Sequence, residues 1–163
     1  MSDDQIARIG ALINPKSIAL VGASTKPRTA GNDLLRNLIF TEFNGPVYPI
    51  NPKAESILGV SCYPSLRHTP KPAELAVVVV PAAAILDVVA DAAASGVKAM
   101  VLISAGFKET GEEGAKLELQ LRDAVRAAGI PLIGPNCLGI INTDPSIRIN
   151  ATFARKMPEP GNL

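Results

Sequence analysis

Ser17-Ile18-Ala19-Leu20-Val21-Gly22-Ala23-Ser24-Thr25-Lys26-Pro27-Arg28-Thr29-Ala30-Gly31 is a short apolar run that opens into a polar loop bounded by glycines. The run predicts a buried strand over 17–21, and Leu34, Leu35, Leu38 and Ile39 predict a helix with one apolar face over about 31–40. The same strand-loop-helix rhythm recurs outward from it. Val47-Tyr48-Pro49-Ile50 reads as a second strand, with Pro49 marking a strand end or a place that needs no ladder donor. Residues 60–63 suggest a short extra strand, and 64–72 a Pro-rich connection. A third strand over 75–80 is broken by Pro81, and Ile85, Val88, Val89 and Ala92 mark a helix that stops at Ser95-Gly96. A fourth strand over 99–103, a loop over 106–111, a helix over 112–128 and a fifth strand over 131–133 complete the series. Five short strands alternating with helices predict an α/β fold, a doubly wound and mostly parallel sheet of Rossmann-like type.

Before the first strand, Ile6, Ile9 and Ile13 recur at helical spacing, so a flanking helix is expected over 3–12. From about residue 144 the pattern weakens, and Met157-Pro158-Glu159-Pro160-Gly161 reads as a connecting segment. Residues 1–157 are therefore expected to form one domain, and 158–163 a linker with the start of a second.

Length and composition narrow the function classes. The 163 residues, 47% hydrophobic and 19% charged, suffice for one well-buried core and are too few for two ordinary domains. A formal net charge of +1 gives no global field for a nucleic acid or an anionic membrane, so any anion must be held locally. Cys62 and Cys137 lie far apart and outside any CxxC pattern, which favours free thiols and a cytoplasmic location. The acidic N-terminus does not read as a secretory signal, and the apolar run over 75–80 is far shorter than the ~20 residues of a membrane span.

In a doubly wound sheet, ligands bind beyond the carboxyl ends of the strands, where the strand order reverses. Five loops are expected there and are expected to line one crevice: Gly22, Ala23, Ser24 and Lys26 up to Gly31; Asn51, Pro52 and Lys53; Val80, Pro81 and Ala82; Ser104 to Gly106; and Asn136 with Cys137. The first joins small residues to a helix N-terminus, whose free N–H groups and dipole favour a phosphate, and Lys26 and Arg28 add charge. Its plainer reading is a polar turn packed closely through its glycines. It spells neither the GxGxxG dinucleotide fingerprint nor the GxxxxGK[ST] loop. At the end of the second strand an NAD site places Asp or Glu, whereas here stands Lys53, which suits a phosphorylated ribose, either the 3′-phosphate of coenzyme A or the 2′-phosphate of NADP. A solvated turn lysine explains it equally. Pro81 suits the start of a helix, where its missing N–H costs nothing.

Asn14-Pro15-Lys16-Ser17-Ile18-Ala19-Leu20-Val21-Gly22-Ala23-Ser24, Tyr48-Pro49-Ile50-Asn51-Pro52-Lys53, Ile103-Ser104-Ala105-Gly106-Phe107 and Gly134-Pro135-Asn136-Cys137-Leu138-Gly139 occur in this order. Together they resemble the N-terminal CoA-binding domain of NDP-forming acyl-CoA synthetases, relatives of the succinyl-CoA synthetase α subunit. The resemblance implies that Gly22, Ser24 and Lys26 surround the CoA phosphates, with Gly31 at the helix entrance, and that Lys53 approaches the ADP part. It further implies that Val80, Pro81 and Ala82 flank the adenine or pantetheine, that Ser104 and Gly106 border the pantetheine, and that Asn136 and Cys137 lie toward the thiol. No catalytic or metal-ligating residue is implied. In that family a histidine of a following domain carries the phosphoryl group. His68, the sole histidine, sits in the Pro-rich connection, matches no part of that motif and reads as a surface or hinge residue.

The resemblance thus implies a CoA-binding module that needs phosphohistidine and ATP-grasp domains, in cis or in trans, to make acyl-CoA from acid, CoA and NTP. A freestanding CoA-binding protein of regulatory or carrier type is the alternative. An NADP-dependent oxidoreductase is the third reading, and it lacks a visible proton donor for the nicotinamide. Cys137 as a nucleophile has no histidine partner in sequence, and a small buried thiol is its simpler reading.

Overall fold

The computed structural model describes residues 2–154 and 156–161. Four helices run over Asp3–Ile13 (α1), Ala30–Phe40 (α2), Ile85–Ser95 (α3) and Glu112–Ala127 (α4). Nine strands follow Ile18–Val21 (β1), Val47–Ile50 (β2), Ser56–Ile57 (β3), Val60–Ser61 (β4), Leu75–Val78 (β5), Ala99–Leu102 (β6), Leu132–Ile133 (β7), Gly139–Asn142 (β8) and Ile149–Thr152 (β9). Five of them form one parallel sheet in the order β2-β1-β5-β6-β7, the expected doubly wound α/β arrangement.

Every residue of β1, β5 and β6 is buried, which is why these strands read as unbroken apolar runs and not as alternating ones. Ala19, Val21, Ala76, Val78, Met100 and Leu102 meet α3 and α4 on one face. Ile18, Leu20, Leu75, Val77, Ala99 and Val101 meet α1, α2 and β9 on the other. The chain leaves β1 for the edge strand β2 and returns on β1's far side as β5, so the order reverses between β1 and β5.

Pro49 sits inside β2 without disturbing it. The N–H groups of Ile18 and Gly22 donate to the carbonyls of Pro46 and Ile50, so Pro49 points away from β1, and its own carbonyl accepts the Tyr63 N–H at 2.9 Å. The missing donor thus falls on the outer edge, as the proline suggested. The extra strand expected over 60–63 is a hairpin of β3 with β4, and Tyr63 itself bridges to Ile50.

The flanking helix expected over 3–12 is α1, whose Ile6, Ile9 and Ile13 side chains are 53%, 47% and 62% exposed, with Ala11 as its buried residue. The weak pattern after residue 144 hides a well-packed element, because β8 and β9 pair antiparallel and β9, wholly buried, lies against α2. Its polar residues satisfy one another: Thr152 donates to Asn150 Oδ1 at 2.7 Å, and Asn150 Nδ2 donates to the Ala154 carbonyl at 3.0 Å. The expected linker over 158–163 reaches residues 162 and 163, which lie outside the described residues. Among the described residues no helix is long and apolar enough to cross a membrane.

Asn37 of α2 holds the hairpin in place, its Nδ2 donating to the carbonyls of Thr152 at 2.7 Å and Ala154 at 2.9 Å. Asn37→Ala is expected to lower the unfolding free energy by about 1 kcal/mol, because the half-buried bond to the Thr152 carbonyl is lost while the exposed Ala154 carbonyl keeps its bond from Asn150. Urea denaturation measures it, with faster amide exchange in β9 as the local signature.

Candidate functional site

A cleft of about 630 Å³ opens at the point where the strand order reverses. Val21, Gly22 and Ala23 reach it from β1, Ile50, Asn51, Pro52 and Lys53 from β2, and Val80 from the end of β5. Its far wall is the turn over 64–68 together with Ala84, Asp87, Val88 and Asp91 at and along α3.

Backbone contacts fix the floor. Gly22 has φ +96°, and a β-carbon there would strike the Val79 carbonyl; a β-carbon on Gly31 would strike the Gly22 carbonyl. Bare backbone at both positions lets α2 start directly against the end of β1. Thr29, the N-cap of α2, makes no side-chain cap bond and instead donates to the Lys26 carbonyl at 2.8 Å. No side chain of the cap therefore competes for the first-turn N–H groups.

Two asparagines hold the loops at the rim. Asn51 Nδ2 donates to the Ala23 carbonyl at 2.8 Å, while its Oδ1 accepts the Lys53 N–H at 2.8 Å, so one side chain ties the β1 loop to the turn that carries Lys53. Asn32, buried in α2, donates to the Ser24 carbonyl at 2.8 Å, and Ser24 Oγ accepts the Lys26 N–H at 3.1 Å. Asn32 was missed in the sequence; a polar residue on the apolar side of a helix was its only signal.

Gly22, Ala23, Asn51, Pro52, Lys53 and Val80 line the cleft, whereas Ser24, Lys26, Gly31, Pro81 and Ala82 lie on its loops without lining it. Ser104, Gly106, Asn136 and Cys137 form a separate group at the ends of β6 and β7, so the expected single crevice resolves into two neighbouring parts. Asn136 donates its N–H to the Ser104 carbonyl at 3.0 Å, and the Cys137 thiol donates to the Leu102 carbonyl at 3.3 Å. Ser104 Oγ is buried with no hydrogen-bond partner, a hydroxyl ready for a polar group brought by a ligand. Ala82 joins the two parts, since a β-carbon on Gly106 would lie 3.0 Å from its own. Pro81 precedes a 3-10 turn over Ala82–Ala84 that leads into α3, close to its expected structural role.

His68 is exposed, as a surface residue should be, but it also lines the cleft beside Arg67, and neither had been assigned to a site. Among the cysteines, burial pushes the Cys62 thiol above its ordinary pKa, which suits an inert residue.

A parallel sheet with an apolar cleft at its reversal point, a glycine-built helix entrance and a basic rim defines a Rossmann-like domain for a nucleotide-type ligand. Residues 16–143 match the family model described as a CoA binding domain. The chain belongs to this CoA-binding family, and coenzyme A is its ligand. The ADP-forming acetate–CoA ligase I of Archaeoglobus fulgidus is 46% identical over 93% of this chain and 22% of its own length. The dinucleotide forming acetyl-coenzyme A synthetase 1 of Ca. Korarchaeum cryptofilum, solved with phosphate and ADP, superposes with a TM-score of 0.83 at 41% identity, over 89% of this chain and 30% of that one. A hypothetical protein from Pyrococcus horikoshii OT3, of solved structure, is more distant, with a TM-score of 0.61 and 27% identity, yet the match spans 83% of this chain and 87% of that one. The chain thus spans roughly a fifth to a third of the curated ligases it matches over most of its own length.

The second part of the site is braced by a carboxylate. The N–H groups of Gly106 and Phe107 donate to Glu109 Oε1 at 2.7 and 3.2 Å and hold its carboxyl below the ordinary glutamate range. With a depressed folded pKa, this support is present above the unfolded value and is lost as pH falls through the folded one. An NMR titration is expected to show Glu109 titrating below a free glutamate, with exchange protection of the Gly106 and Phe107 amides falling in the same pH window.

Proposed function

We propose that this chain is the CoA-holding module of an NDP-forming acyl-CoA synthetase, in which acid, CoA and NTP yield acyl-CoA, NDP and phosphate. The observation that carries the reading is the 46% identity to an ADP-forming ligase across nearly the whole chain, while four-fifths of that ligase has no counterpart here. The phosphorylated intermediate and the nucleotide are then handled by phosphohistidine and ATP-grasp domains joined to it in cis or in trans. The cleft fits the nucleotide end of CoA: Val21, Ile50, Pro52, Val80 and Val88 offer apolar walls for a flat base, and Lys53 supplies a cation at the rim.

In this reading the pyrophosphate meets the loop of Gly22, Ala23, Ser24 and Lys26 and the helix entrance at Gly31. Pantetheine leaves past Val80, Pro81 and Ala82 toward Ser104 and Gly106, where the orphaned Ser104 hydroxyl awaits an amide, and the thiol lies toward Asn136 and Cys137. A freestanding CoA-binding protein is the second reading, favoured by the Pyrococcus horikoshii protein that this chain matches over most of both lengths.

Calorimetric titration with CoA and with NADP at one salt concentration tests the ligand: saturable binding of CoA alone is expected, and binding of NADP alone overturns it. Lys53→Ala is expected to weaken CoA more than dephospho-CoA, by at most about 1.5–3 kcal/mol for one charge-assisted contact. Equal weakening of the two ligands rejects Lys53 as a reader of the 3′-phosphate.

A further inference from the structure

The far wall of the cleft carries a second basic group, held more firmly than a surface side chain normally is. Asp91 of α3 accepts the Leu66 N–H at 2.8 Å on one carboxylate oxygen and Arg67 Nε at 2.6 Å on the other. The Asp91 side chain is only 16% exposed, whereas that of Arg67 is 61% exposed. One carboxylate therefore pins the 3-10 turn Leu66–His68 to α3 and holds the guanidinium by its Nε edge. The turn is closed further by Ser65, whose Oγ lies 2.9 Å from His68 Nδ1.

An arginine tethered through Nε keeps its two terminal nitrogens free, in the fork geometry that takes a pair of phosphate oxygens. The pair carries no net charge, so Arg67 offers its terminal N–H groups as oriented donors and not a net positive field, and Asp87 adds a carboxylate to the same wall. Lys53 lines the same cleft, and among the described residues no carboxylate pairs with it. Basic side chains thus stand at three places around the cleft: Lys26 on the β1 loop, Lys53 on the turn after β2 and Arg67 on the far wall. CoA carries two separated phosphate groups, a pyrophosphate and a ribose 3′-phosphate.

Resting on the CoA reading above, we infer that Arg67, positioned by Asp91, is a specificity-determining residue that reads the ribose 3′-phosphate from the wall opposite the glycine loop. Arg67 supplies the contact, and Asp91 acts through it by setting its orientation.

Binding of CoA and of dephospho-CoA to the full chain, measured by calorimetry for wild type, Arg67→Gln, Arg67→Lys and Asp91→Asn, decides it. Wild type is expected to prefer CoA. Arg67→Gln should weaken CoA by roughly 5- to 20-fold, the lower part of the range for a charged contact because the group is solvent-screened, and leave dephospho-CoA unchanged. Arg67→Lys should restore part of the preference as a point charge without the fork, and Asp91→Asn should lower it in the same direction. A loss equal for both ligands, or none for either, overturns the inference while leaving CoA binding intact. A wild-type chain that binds neither ligand overturns the CoA reading and this inference with it.

Discussion

A side chain on Gly31 would collide with the carbonyl of Gly22, and one on Gly22 with the carbonyl of Val79, so three pieces of backbone meet where the sheet changes direction. Because nothing larger than hydrogen separates them, the first turn of α2 sits against the end of β1, and β5 ends level with both. The cleft exists because these ends converge. Asn51, Asn32 and Asp91 then attach the surrounding loops to that fixed point through hydrogen bonds of 2.6–2.8 Å. A surface built in this way is largely main chain, of the kind that suits an anion at a helix entrance.

How much of this was legible follows from what each segment buries. β1, β5 and β6 are buried on both faces, and their apolar runs announced them; α3 and α4 carried their period and their glycine ends. β9 was unreadable because Asn150 and Thr152 sit buried in it, and residues of that kind enter a core only when local partners complete their hydrogen bonds. The α1 stripe announced its helix by spacing alone, since its isoleucines keep helical period while facing outward. That Lys53 lines the cleft could be read from its place after β2, since strand ends of this fold converge there. The place of Arg67 could not, because the bond that holds it comes from Asp91, 24 residues away on another element.

The family model gives coenzyme A as the ligand, and the cleft proposed to receive its nucleotide end has two walls of different construction. The β1 wall is backbone and helix dipole, suited to any pyrophosphate. The opposite wall is made of side chains, and in the proposed reading discrimination among nucleotides belongs there.

Pro49 has a consequence beyond the geometry of β2. An outer strand exposes a row of donors and acceptors that can recruit the edge of another molecule. Here the donor at the middle of that row is missing, and the neighbouring carbonyl of Pro49 and N–H of Asn51 are already taken by Tyr63. The border of the sheet beside the cleft is thereby closed to intermolecular pairing, which protects against aggregation at a margin where the loops must stay open to a ligand.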